Sequence, residues 1–345
     1  MDKVLNFIVM KFSHHSQFSG YHRFLDFIPN KEFAPLSFHA LFSEKQKSDL
    51  IEKSLRTWYH YGTNDINTEI DINFYTPLIR KHIFHFIYGE NTFCYSSKYN
   101  RRNKIFVASY HWPETWFRKQ GKERFDTLTE KMAELDAVIT VSSDSADFLR
   151  QYNPNVFCVH HGIDVDFFTP GNFEERDPQL CLFVGNWLRD FETLKKISTI
   201  LSERDPKIQL EIVTPERNRH HFEGMGISVF SGISDQELRE KYQKASVLLQ
   251  PLIDCTANNS ALEAMACGLP IIVTDVGGIR DYISENHGVF CEPGNAEQMA
   301  DAAIQLLDAP EQRKEMGKVA REKAERLFAW PVVSKQMIDI YNKLG

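Results

Sequence analysis

Several things are scarce in this 345-residue chain, and each absence removes a class of function. Long apolar runs are missing: no stretch approaches the ~18 residues that a membrane-crossing helix requires, although 42% of the chain is hydrophobic. Paired cysteines are missing too. The six cysteines are scattered with no Cys-x-x-Cys spacing, which suits buried reduced thiols and a cytoplasmic location better than a disulfide framework or a zinc knuckle. Basic excess is lacking: residues 1–170 carry 20 basic and 20 acidic side chains, leaving 20 and 27 for residues 171–345. An acidic second half lacks the positive footprint that phosphate backbones demand, so nucleic acid is excluded as a partner. No Gly-x-Gly-x-x-Gly opens either half, which disfavours a nicotinamide dehydrogenase. The apolar start, residues 1–12, carries Lys3 and Lys11 and no small-residue cleavage site. A first β-strand is expected there rather than a secretory leader.

The length favours two cores. Short buried runs at 104–110 and 136–142 flank a helical pattern at 122–135. The second half repeats that rhythm, with strands expected at 180–184, 208–213, 227–230, 246–251, 270–274 and 288–291. Strands alternating with helices predict an α/β protein of two Rossmann-like, doubly wound parallel sheets facing a cleft. Ser234 and Glu237 form a capping box ahead of Leu238. Pro170, Gly171 and Pro178 punctuate a polar stretch, so the expected domains are 1–168 and 169–328. An amphipathic helix, 329–345, is expected to return to the first domain.

Chemistry concentrates in residues 248–283, LLQPLIDCTANNSALEAMACGLPIIVTDVGGIRDYI. One strand ends at Pro251, and a polar loop leads into a helix near Asn259 that carries Glu263 in its first turn. The next strand runs into Gly277-Gly278. Two strand-to-helix turns on one sheet edge each expose unpaired N–H groups, an anion site. Paired glycines allow close approach of a diphosphate, and Glu263 can accept bonds from vicinal ribose hydroxyls.

The string LEAMACGLPIIVTDVGGI resembles the donor-site signature of retaining family-four glycosyltransferases, of GT-B fold. Two flanking stretches, LDAVITVSSDSADFLRQY with NVFCVHHGIDVDFFTP and GISDQELREKYQKASVLLQPL, resemble the same family. The resemblance assigns ribose binding to Glu263 and diphosphate contact to Gly277 and Gly278. It implies metal-independent transfer from a UDP- or GDP-linked sugar, with no cofactor, to a glycan, lipid-linked or small-molecule acceptor. It also places a glycine-bearing loop at Ser19 and Gly20, and a sugar-facing His at His111, directly after a buried strand. Three positions depart from the family pattern, one of them Phe191, which stands where the family has the Lys of its diphosphate-gripping pair. Cys255 stands where the family has a first Glu, leaving Asp254, Asn258 and Asn259 as substitutes. Asn186 replaces the family's Arg, leaving Arg189 as the cation for the leaving diphosphate. Asp164-Val165-Asp166 sits in a His-Gly-Ile-Asp turn and is not read as a metal motif, so no metal site is expected. A basic cluster, Lys98, Arg101, Arg102, Lys104, Arg118, Lys119, Lys122 and Arg124, reads as solvated surface. The alternative is contact with an anionic acceptor or, peripherally, a membrane face. The competing functions are a nucleotide-sugar epimerase of the same fold and a non-catalytic, nucleotide-binding subunit.

Overall fold

The computed structural model describes residues 3–9, 18, 20–28, 37–55, 62–96 and 101–344. The chain divides into two compact units. The first holds Tyr21–His160, Ser334–Gly345 and the opening strand; the second holds His161–Val333 with Phe18 and Gly20. The divisions therefore fall at His161 and Ser334, where the sequence suggested residues 169 and 329.

The first unit contains strands β1 (Lys3–Ile8), β2 (Lys81–Phe86), β3 (Lys104–Tyr110), β4 (Ala137–Thr140) and β5 (Val156–Cys158). They pair in parallel in chain order. Helices α1 (Glu44–Leu55), α2 (Thr63–Phe74), α3 (Gly89–Thr92), α4 (Glu114–Lys119), α5 (Lys122–Ala133) and α6 (Ser143–Leu149) accompany them. Strand β3 is buried along its whole length, so its run of apolar residues reads as a central strand covered on both faces.

In the second unit lie β6 (Leu180–Val184), β7 (Gln209–Val213), β8 (Ser228–Phe230), β9 (Val247–Gln250), β10 (Ile271–Thr274) and β11 (Gly288–Cys291). Their helices are α7 (Phe191–Arg204), α8 (Asp235–Lys244), α9 (Asn259–Ala266), α10 (Ile279–Tyr282), α11 (Ala296–Leu307), α12 (Pro310–Lys323) and the start of α13 (Trp330–Lys343). The parallel order is β11-β10-β9-β6-β7-β8. The chain winds outward from β6 to β8, then returns to the other side of β6 and winds outward again. The reversal lies between β6 and β9, and ligands of open α/β sheets bind at such a switch point, beyond the strands' C-terminal ends.

The expected capping box is present: Ser234 accepts the Glu237 N–H, and Glu237 accepts the Ser234 N–H at 2.8 Å. Helix α9 ends where Gly268 adopts a left-handed φ of 66°. There Leu269 N–H reaches Ala264 O (2.9 Å) and Gly268 N–H reaches Met265 O (3.0 Å), the two bonds of a Schellman stop.

Gly162 marks a packing constraint rather than a turn. A Cβ there would sit 2.3 Å from Cε3 of Trp330, an indole that is almost fully buried. Gly162→Ala is expected to lower stability by about 1–3 kcal/mol, the usual cost of overpacking. Urea unfolding should show a reduced midpoint with an unchanged slope; an unchanged midpoint would mean that Trp330 does not pack there.

Candidate functional site at the sheet switch point

The switch point brings together the loops that follow β6 and β9. They are zipped by an antiparallel bridge between Arg189 and Leu252. Asp190 N–H donates to Pro251 O and Ile253 N–H to Leu188 O, both at 3.0 Å. Leu188 holds a left-handed φ of 57°, strain of the kind that concentrates near functional sites.

Arg189 is the hub of this junction. Its Nη2 donates to Asn258 Oδ1 (3.1 Å) and Ser260 Oγ (3.0 Å), its Nη1 to Trp187 O (3.0 Å) and its Nε to Val184 O (3.4 Å). Burial lowers its pKa, opposed by Cys255, Tyr242 and Glu263 nearby. The guanidinium packs against Gly185, where a Cβ would meet Nε at 2.5 Å. Glycine at 185 therefore makes room for the cation as well as adopting φ 132°. Of five guanidinium N–H donors, four are spent on holding loops together. Arg189 thus carries its charge to the start of α9 but keeps a single N–H on Nη1 for a ligand.

Asn258, one of the expected donor-binding residues, is the N-cap of α9. Its Oδ1 accepts the Ala261 N–H, and its Nδ2 reaches Gln250 Oε1 at 3.4 Å. Asn259 is the first helical residue and half-buried. Ser260 Oγ donates to Val184 O at 2.9 Å, so the last carbonyl of β6 gathers donors from Arg189, Ser260 and Gln250.

Glu263 lies in the second turn of α9, not the first. It is 6% exposed. Its Oε2 accepts the Tyr242 hydroxyl at 2.8 Å, while Oε1 has no bond to a described residue and is not sealed from solvent. Burial pushes the carboxyl up to about 7; the Tyr242 hydroxyl and Arg189 act to lower it, and Asp235 to raise it. Tyr242 went unnoticed in the sequence, although its spacing from Leu238 puts both on one helical face.

The Gly277-Gly278 turn packs directly on the loop after β9. Gly277 has φ 51°, and a Cβ there would fall 2.2 Å from Cys255 O and 2.6 Å from Asp254 Oδ1. Gly278 donates its N–H to Cys255 O at 2.8 Å, whereas Gly277 is exposed and its N–H has no partner among the described residues. The helix that follows, α10, has four residues, so the second of the two expected helix-terminus anion sites is not built. The loop also settles the question of carboxylate aim. Asp254 is buried with Oδ1 turned back onto the Cys255 N–H at 2.7 Å, and Cys255 is a buried thiol whose pKa burial raises to about 12.

In the first unit, His111 follows β3 as expected. Its backbone N–H and its ring Nδ1 both reach Glu90 Oε1 at 3.3 Å. The ring is flanked by Tyr21 and Tyr88 at centroid distances of 4.8 and 4.7 Å. Glu90, on α3, is buried; sequence reasoning missed it because it is twenty-one positions away. Gly20 has φ 101°, and Ser19 lies outside the described residues. His82 and His85 are both engaged within the fold: His82 with Asn6 and Tyr75, His85 with Tyr341 and Ser109. Asp164 Oδ1 accepts the Phe167 N–H at 2.9 Å, a turn role.

The Glu263 geometry sets a pH dependence. A carboxyl whose folded pKa, about 7, exceeds its ordinary value of 4.5 contributes stability that is full below 4.5 and lost as pH rises through 7. Glu263→Gln removes the ionisation but keeps an oxygen for Tyr242. The variant's unfolding temperature is expected to fall less than the parent's between pH 5 and pH 8. Parallel curves would show that Glu263 ionises without penalty.

Residues 168–323 match the family described as glycosyl transferases group 1. The D-inositol 3-phosphate glycosyltransferase of Corynebacterium glutamicum is 27% identical over 236 residues, 59% of this chain and 56% of that protein. The MMP alpha-(1->4)-mannosyltransferase of Mycolicibacterium hassiacum is 26% identical over 273 residues, covering 69% and 65%. This chain thus spans a little over half the length of the first of these relatives. Among solved structures, HepE of Anabaena in complex with UDP superposes with a TM-score of 0.70 over 100% of both chains at 10% identity, a likeness of fold. The sheet switch point around Arg189, Glu263 and Gly277 falls inside the residues that match glycosyl transferases group 1, and the two parallel sheets give this chain a GT-B fold.

Proposed function

We propose that the protein transfers a sugar from a nucleotide-diphosphate donor to an acceptor, with retention and without a bound metal. The observation that carries this reading is the convergence at one switch point of a buried carboxylate, a helix N-terminus, a fixed cation and an exposed glycine N–H. Glu263 Oε1 would receive the ribose hydroxyls, since Oε2 already holds Tyr242. The first N–H groups of α9, the Gly277 N–H and the charge of Arg189 would stabilise the departing diphosphate. HepE was solved with UDP and the relatives bear transferase names, which supports a UDP- or GDP-linked donor. An acceptor carrying phosphate or several hydroxyls, as the name D-inositol 3-phosphate glycosyltransferase indicates for that relative, is the first class to try. His111, held by Glu90, is assigned to the transferred sugar. Asp254 and Cys255 shape the turn beneath Gly277 rather than touching the reacting bond.

Thermal shift against UDP and GDP, free and sugar-linked, identifies the donor, because a binder stabilises the fold by mass action. Glu263→Ala should weaken the binding of that nucleotide by about 10–100-fold, the worth of hydrogen bonds to a charged group. In the parent protein the affinity should fall as pH drops below 7, because ribose hydroxyls donate best to the ionised form, and Glu263→Gln should flatten that dependence. Affinity unmoved by either substitution would remove Glu263 from the site.

Turnover separates the remaining roles. His111→Ala should lower kcat by about 100-fold or more with nucleotide affinity within about twofold of the parent. Arg189→Lys, which keeps charge but loses the fork, should lower both. Donor hydrolysed or epimerised, with no transfer to any acceptor tried, would overturn the transferase reading.

A further inference from the structure

Two buried glutamates of the first unit are used in different ways. Glu69, on α2, accepts the backbone N–H groups of Cys94 (2.7 Å) and Tyr95, one on each oxygen, so it serves the path of the chain. Glu90, on α3, is as deeply buried, yet both donors it receives among the described residues belong to His111. The His111 backbone N–H and ring Nδ1 each reach its Oε1 at 3.3 Å. Its Oε2 is enclosed and has no partner among those residues.

No Lys or Arg among the described residues offsets this carboxylate, and its one ion-pair contact is with His111. The basic cluster singled out in the sequence is spent elsewhere. Lys104 donates to Ile72 O and Asn73 O, Arg118 pairs with Glu114, and Lys122 pairs with Asp126; Lys98 lies outside the described residues. An oxygen buried without a donor is costly. A carboxylate kept at that cost, with its hydrogen bonds directed at one histidine, acts on that histidine.

The fold is built to bring the two together. Strands β2 and β3 are parallel neighbours, so residues just beyond their C-terminal ends lie side by side. Gly89 lets α3 press against β3: a Cβ there would fall 2.7 Å from Ala108 Cβ and 2.9 Å from Tyr110 Cζ. That close approach sets Glu90 beside the residue that follows Tyr110. The phenols flanking the His111 ring, Tyr21 and Tyr88, have their pKa values raised, chiefly by burial, and remain neutral.

We infer, on the basis that His111 meets the transferred sugar, that Glu90 is a positioning residue acting through that ring. A carboxylate oxygen only accepts, so the ring nitrogen bonded to it carries the hydrogen. Nδ1 is therefore protonated and Nε2 holds the lone pair, the opposite of the tautomer that a free imidazole side chain prefers. The ring then takes a hydrogen bond from a sugar hydroxyl at Nε2 rather than giving one. The backbone bond to the same Oε1 ties main chain and ring to a single atom.

Nitrogen-15 spectra of histidine-labelled protein in mildly alkaline buffer read the tautomer with no donor or acceptor present. The His111 signals are identified by their loss in His111→Ala. The parent should carry the hydrogen on Nδ1, and Glu90→Gln should keep it there, because an amide oxygen still accepts. Glu90→Leu, which keeps the volume and removes the acceptor, should move it to Nε2. In turnover, Glu90→Leu should lower kcat by about tenfold or more, with KM for the donor within about twofold of the parent. Glu90→Gln should recover most of that loss, and Glu90→Leu should change nothing further in a His111→Ala background. Hydrogen on Nε2 in the parent, or an equal loss from Glu90→Leu in both backgrounds, would overturn the proposal. A parent that transfers nothing would overturn the transferase reading, and with it the role of Glu90, while the spectra still decide the tautomer.

Discussion

The site depends on holding one short helix, α9, by both ends. At its start, Arg189 ties the Asn258 cap and Ser260 to the final carbonyl of β6. At its finish, Arg176 donates to Cys267 O and Gly268 O and, from the same guanidinium, to Tyr242 O and Ala245 O at the end of α8. Arg321 adds a bond to Ala266 O and joins it to Phe168 O and Val165 O. Two cations therefore sit at the negative end of α9, where a helix favours them. Its positive end is left to face the switch point. An eight-residue helix is too short to be rigid by itself; here tertiary bonds supply the rigidity.

That clamp explains how a carboxylate survives on a helix whose every other side chain from Ser260 to Ala266 is also buried. Among the described residues Glu263 is held by a single donor, Tyr242, which rides on the helix that Arg176 ties to α9. The burial cost appears as a pKa near 7, and it is the cost that a ligand donating to Oε1 would relieve. The same economy shapes Arg189: its position over Gly185 is possible only because that residue lacks a side chain. Positive charge, helix end and buried acid are thus set by a few glycines and backbone carbonyls, not by a crowd of polar residues.

Much of this was legible in the sequence where local chemistry decides. The apolar run at 180–184 could only be a buried strand, the Ser234–Glu237 box starts α8 where expected, and Gly277 takes the left-handed turn that its type permits. Asn258 could have been read better: an Asn immediately before an apolar helix is an N-cap signal, and the structure uses it so. What stayed hidden depends on tertiary neighbours. Glu90 and Tyr242 acquire their roles only when a strand end and a helix face bring them to His111 and Glu263. The one-residue difference between Asp254 and Cys255 matters because the loop's path decides which side chain looks outward, and neither does. The basic cluster looked continuous along the chain but is divided by its own helix pairs and by the inward Lys104.

The most direct measurement is a crystal structure of the protein with the nucleoside diphosphate that stabilises it. The account requires a ribose hydroxyl within hydrogen-bond reach of Glu263 Oε1, with the diphosphate beside the Gly277 N–H and the first turn of α9. A nucleotide bound elsewhere, with Glu263 still closed over Tyr242 alone, would contradict it.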